Sequence, residues 1–139
     1  MKNEFETQEK GPRISPELLK EIQLAVLTMP LEDHEFLVEN QKFILRVCPS
    51  KNDQGGMNGQ SGEYFARGDA WVIYVWDDLP EKIQRVIIFH EIVEVYFLVT
   101  YSEEQSVAHE AALPYEEDFK KGLLSADEER QIQELRTQF

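Results

Sequence analysis

The chain has 139 residues, a length that suits one domain around one core. Its 27 Asp and Glu against 14 Lys and Arg give a formal net charge of -13 at pH 7, so nucleic acid and anionic membrane surfaces are poor partners for it. A single cysteine, Cys48, excludes an internal disulfide, and no CxxC pair exists for a structural zinc knuckle.

Residues 1–13 are polar and charged, lack periodicity and end at Gly11-Pro12, which predicts a frayed leader ahead of one domain over residues 14–139. No apolar segment of signal-peptide length follows, and no uninterrupted apolar run reaches the ~18 residues of a membrane span, so a soluble cytoplasmic protein is expected. Ser15-Pro16 reads as an N-cap with proline at the first helical position. Leu18, Leu19, Ile22, Val26 and Met29 then form one apolar face of a helix that stops near Met29-Pro30.

The period then changes. "KFILRVC" at 42–48 and "EYFARGDAWVIYVW" at 63–76 are rich in β-branched and aromatic residues in near-alternation, which predicts three strands, the last two joined as a hairpin through a turn at Arg67-Gly68-Asp69. Cys48 reads as a strand residue. Between the first strand and the hairpin, "PSKNDQGGMNGQSG" has little to bury and reads as a flexible loop, disordered without a ligand and a candidate lid or substrate-facing segment with one.

The second half is helical. Asp78 is the expected cap of a long helix running to about Tyr101, Ser102 to Gln105 the capping box of the next, and Pro114 the start of a further short helix. "SADE" at 125–128 repeats the capping-box pattern for the last helix, on which Leu123, Ile132 and Leu135 form an apolar stripe.

The long helix contains "VIIFHEIVEVYFLV", Val86 to Val99, apolar nearly all round except for His90, Glu91 and Glu94. An unpaired buried carboxylate costs several kcal/mol, so these groups require partners, a protonated state or a wet cleft. His90 and Glu94 are four residues apart, one turn above the other on one face and close enough to bind a single ion. A buried hydrogen-bonded His90–Glu94 pair, with Glu91 at a cleft edge, satisfies the same spacing without metal.

"HEIVE" on a long helix, preceded by the extended "WVIYVW" and a short loop, resembles the zincin metallopeptidases, specifically a small bacterial HExxE variant of the gluzincin-like members. The resemblance covers roughly residues 63–112. It implies an α+β fold in which a small mixed or antiparallel sheet of about three strands packs on a long buried active-site helix, with further helices after it. It also implies one Zn2+, a third ligand from the following helix and Glu91 as the general base. Glu94 stands where the family has its second histidine, which makes His109 the expected third ligand, with Glu110 and then Glu104 as alternatives. Other divalent transition metals suit the same donors.

The implied activity is peptide-bond hydrolysis, with a peptide or protein substrate adding a strand to a free sheet edge near Trp71 to Trp76. Tyr96, Tyr101 and Tyr115 receive no catalytic role, because an aromatic at helical spacing reads as core. His34, among acidic residues outside the resemblance, reads as solvated. Two other functions remain open on the sequence: a zinc-stabilised interaction module without catalysis, and a metal-free acidic protein that docks through its last helix.

Overall fold

A computed structural model describes residues 13–49, 62–67, 70–102 and 104–138. Helix α1 (Pro16–Thr28) is followed by β1 (His34–Val38), β2 (Gln41–Cys48), β3 (Gly62–Arg67) and β4 (Ala70–Trp76), then α2 (Glu81–Tyr101), α3 (Gln105–Lys121) and α4 (Ala126–Gln138). Residues 1–12 of the expected leader, most of the glycine-rich loop and the turn residues Gly68 and Asp69 lie outside the described residues. The fold is α+β, and no described helix is long and apolar enough to cross a membrane.

The sheet has four strands in the order β1-β2-β4-β3 rather than the expected three. The additional strand, β1, pairs antiparallel with β2 across the two-residue turn Glu39-Asn40, and Glu39 adopts φ 54° there. β3 and β4 form the expected antiparallel pair, whereas β2 and β4 run parallel with Phe43 opposite Trp71 and Leu45 opposite Ile73. Phe43 and Leu45 of β2 and Ile73 and Val75 of β4 alternate onto one face and enter the main core with α2. β4 is therefore interior. Its Trp71 to Trp76 segment offers no free edge, which corrects the expected place of substrate pairing; the sheet's edges are β1 and β3.

Ser15 Oγ accepts the Leu18 amide at 3.2 Å and starts α1 as its sequence predicts. The Arg85 guanidinium, from α2, donates to the Met29 and Val26 carbonyls at the other end of α1, while Glu81 holds it in place at 3.0 Å. Ile22 and Val26 are fully buried against α2.

Three helix boundaries differ from the sequence expectation. Asp78 does not cap α2. Pro80 precedes its first turn, and the Gln84 side-chain amide braces the approach by donating to the Leu79 and Asp77 carbonyls at 2.8 and 3.3 Å. Ser102 does not open α3; it closes α2 in the left-handed conformation, φ 54°, and Glu104 takes the N-cap position of α3. Nor does Pro114 start a new helix, since α3 runs through it. A proline inside a helix forfeits one backbone hydrogen bond at a cost of about 3 kcal/mol. Here Ala108 and Ala112 before it and Glu116, Phe119 and Lys120 after it are all buried, so packing on both sides of Pro114 holds the helix together. The last capping box is present in full: Glu128 donates its amide to Ser125 Oγ at 3.2 Å and Glu128 Oε1 accepts the Ser125 amide at 2.8 Å.

Candidate metal centre

Helix α2 is buried from Ile83 to Val95 apart from Arg85, and both His90 and Glu94 lie inside, with 2% and 3% of their surface exposed. Helix α3 folds back along α2 and brings His109 to the same place. His90 Nε2 lies 3.1 Å from Glu94 Oε1 and 3.0 Å from His109 Nδ1, and His109 Nδ1 lies 3.4 Å from Glu94 Oε1. The three donor atoms thus form a closed triangle.

As hydrogen bonds, His90 Nε2 and His109 Nδ1 can both be directed at Glu94 Oε1, at 3.1 and 3.4 Å. Donors held by one tetrahedral ion at about 2.0–2.1 Å stand about 3.3 Å from each other, which is the spacing of these three atoms. Two imidazole nitrogens and one carboxylate oxygen also form a chemically suitable set for a borderline transition metal. The His90, Glu94 and His109 group can therefore hold a metal ion. His109 is 49% exposed at its side chain, so solvent reaches the cluster from the α3 side.

The cluster holds opposite charges against each other. Burial by itself would keep His90 neutral, but the carboxylates of Glu116 and Glu94, with Glu91 and its charge nearby, raise it to about 9. Burial would likewise keep Glu94 protonated, but His109 and His90 hold it down at about 2. Glu91 is 8% exposed and directly follows His90, and it is not one of the three clustered donors. The alternative ligands Glu110 and Glu104 are exposed and lie outside the cluster.

The sequence reading missed Glu116 and Lys120. Glu116 is fully buried, and its Oε1 lies 2.8 Å from His90 Nδ1, on the edge of the ring opposite the cluster, at hydrogen-bonding distance but out of hydrogen-bond alignment. The spacing of Ala108, Ala112, Tyr115 and Phe119 carries one apolar stripe through Pro114, and following that stripe would have placed Glu116 beside it.

The remaining candidates have structural roles. The Tyr101 hydroxyl donates to the Arg13 carbonyl at 2.9 Å and accepts the Arg13 amide, and the Tyr115 hydroxyl accepts the Ile14 amide at 3.2 Å, so both fasten the start of α1 to the helical layer. Tyr96 lines a small apolar cavity with Ile22, Phe43 and Ile92. His34 donates from Nδ1 to the Glu32 carbonyl at 2.7 Å.

No family model, curated protein or solved structure gave a significant match to this chain.

Proposed function

We propose that the protein is a zinc-dependent peptidase of the gluzincin type, with His90, Glu94 and His109 as ligands and Glu91 as general base. The observation that carries this reading is the closed triangle of donor atoms, 3.0 to 3.4 Å apart, formed by two buried residues of one helix and one half-exposed residue of the next. Zinc in such a site supplies Lewis acidity toward a peptide carbonyl. Glu94 contributes the one negative charge of the ligand set, and His109, at the solvent side, lies where a substrate enters. The Glu91 carboxylate takes the proton of the attacking water and passes it to the leaving amine. Its support is its place next to His90 on the same buried helix, close enough for its charge to act on the imidazole. A peptide adding as a strand pairs with β1 or β3, the two edges of the sheet.

Elemental analysis of protein purified without chelator or nickel resin tests the ligand set. About one zinc per chain is expected in the wild type, and none in His90→Ala. Iron, manganese or nickel in its place would keep the site and change the ion. Glu91→Gln tests the chemistry: it should keep its zinc and lose at least about 100-fold in hydrolysis of a fluorogenic peptide mixture. Zinc retention with unchanged hydrolysis removes Glu91 from the mechanism. A zinc-holding interaction module is the second reading. It prevails if the wild type holds zinc and cleaves none of the peptides.

A further inference from the structure

The cluster uses one edge of the His90 ring. Nε2 faces Glu94 and His109, while Nδ1 faces Glu116 Oε1 at 2.8 Å. The second oxygen of Glu116 lies 3.8 Å from Lys120 Nζ, one turn farther along α3, and the same ammonium lies 3.0 Å from Glu117 Oε2. Glu116 is fully buried and Lys120 only 2% exposed. A buried carboxylate and ammonium cost desolvation free energy that an apolar pair of similar volume would avoid, so stability alone does not account for them. The contact is also held in register. Phe89, the residue before His90, stacks on Phe119, three residues after Glu116, with ring centroids 4.3 Å apart and planes within 7°. That stack fixes α3 against α2 at the level of the His90–Glu116 pair.

We propose that Glu116, anchored by Lys120, is a positioning residue for the metal site: it keeps the His90 proton on Nδ1 and so presents the Nε2 lone pair to the ion. This inference rests on the metal-binding reading above. A neutral imidazole carries one proton, and the acceptor beside each nitrogen decides which of them holds it. His90 has a carboxylate at both edges. With its proton on Nε2 the ring would donate to Glu94 at 3.1 Å and have no lone pair for a metal; with its proton on Nδ1 it sets that proton against the Glu116 carboxylate, 2.8 Å away, and can ligate. Glu116 has to win that competition for the site to function, and the Lys120 charge beside its second oxygen both compensates and fixes it. His109 is arranged the other way round, with Nδ1 nearest the cluster, so its proton belongs on Nε2. Partners behind a metal ligand typically change affinity by about 10–100-fold.

Two measurements test this on the full chain. In zinc-loaded wild type, 15N spectra of the imidazoles should show His90 bound through Nε2 with its proton on Nδ1, and His109 with the opposite assignment. In competition with a chromogenic chelator, Glu116→Ala should bind zinc about 100-fold more weakly than wild type, with Glu116→Gln and Lys120→Met weakened about tenfold, because the glutamine oxygen still accepts the Nδ1 proton without a charge. Circular dichroism of the metal-free variants reports whether each is folded. His90 bound through Nδ1, or a folded Glu116→Ala with wild-type affinity, overturns the proposal. The spectra need no variant, so a Glu116→Ala that does not fold leaves them to decide. Wild type that takes up no zinc at all overturns this proposal and the metal-site reading together; zinc bound by wild type with unchanged affinity in the folded variants overturns this one alone.

Discussion

Helices α2 and α3 form the two sides of the same cluster in opposite ways. The α2 donors, His90 and Glu94, are 2% and 3% exposed on a helix packed nearly all round, whereas the α3 donor, His109, has 49% of its side chain exposed. On α2 the packing fixes the donors, and the interior makes any uncompensated charge there expensive. On α3 the donor is half solvated, and the buried charges, Glu116 and Lys120, stand on the far side of the α2 histidine from the cluster. Two histidines 3.0 Å apart thus differ in setting: His90 is packed inside the fold, His109 half in solvent.

Replacing each histidine with alanine separates these dependencies. His90→Ala has the largest expected effect, since it removes the partner of two buried carboxylates and leaves a cavity. Zinc should be lost and the metal-free protein destabilised by about 3–5 kcal/mol in urea unfolding. His109→Ala should also lose zinc, yet change metal-free stability by less than about 1 kcal/mol, because the side chain it removes is half solvated. Equal losses of stability in the two variants would break the distinction between a structural side and an adaptable side. Zinc retained in His109→Ala would move the third ligand elsewhere, with Glu110 the nearest alternative in sequence.

The difference between the helices also explains what the sequence discloses. His90 and Glu94 stand out because a polar pair four residues apart in an otherwise apolar helix has no bland place to go, and period and burial agree there. Glu116 and Lys120 do not stand out. They sit in "PYEEDFKK", where five of the six residues after the proline and tyrosine carry charge, and nothing local says which of them turns inward. Reading Pro114 as a helix start made this worse, because it detached Glu116 from the helix that carries His109. Continuity through Pro114 depends on burial on both sides of it, a tertiary effect that outweighs the local preference. β1 was missed for a related reason. Its five residues, "HEFLV", follow two acidic side chains, and their strand character comes from pairing with β2. The parallel register of β2 and β4 belongs to topology, which a hairpin reading of neighbouring strands does not reach.

The smallest effect expected is one of pH, and it separates the two helices once more. In the metal-free protein His90 is raised from 6.5 to about 9, burial being outweighed by Glu116, Glu94 and Glu91. Its contribution to stability is complete below pH 6.5 and is lost as pH rises through about 9. Glu94 is lowered from 4.5 to about 2, burial being outweighed by His109 and His90, so its contribution is complete above pH 4.5 and is lost as pH falls through about 2. Metal-free protein should therefore have its highest Tm between pH 4.5 and 6.5, with a gradual decline on the alkaline side. Zinc has to displace the proton on His90, so affinity should rise about tenfold per pH unit up to the His90 pKa, with proton release visible by calorimetry in buffers of different ionisation enthalpy. Bound zinc replaces that proton as the positive charge between the two carboxylates, and the alkaline decline should flatten in the loaded protein. His109→Ala, which keeps His90 and both of its carboxylates, should retain the alkaline decline, whereas His90→Ala should abolish it. An alkaline decline that persists in His90→Ala would place the titrating group outside the α2 side of the cluster.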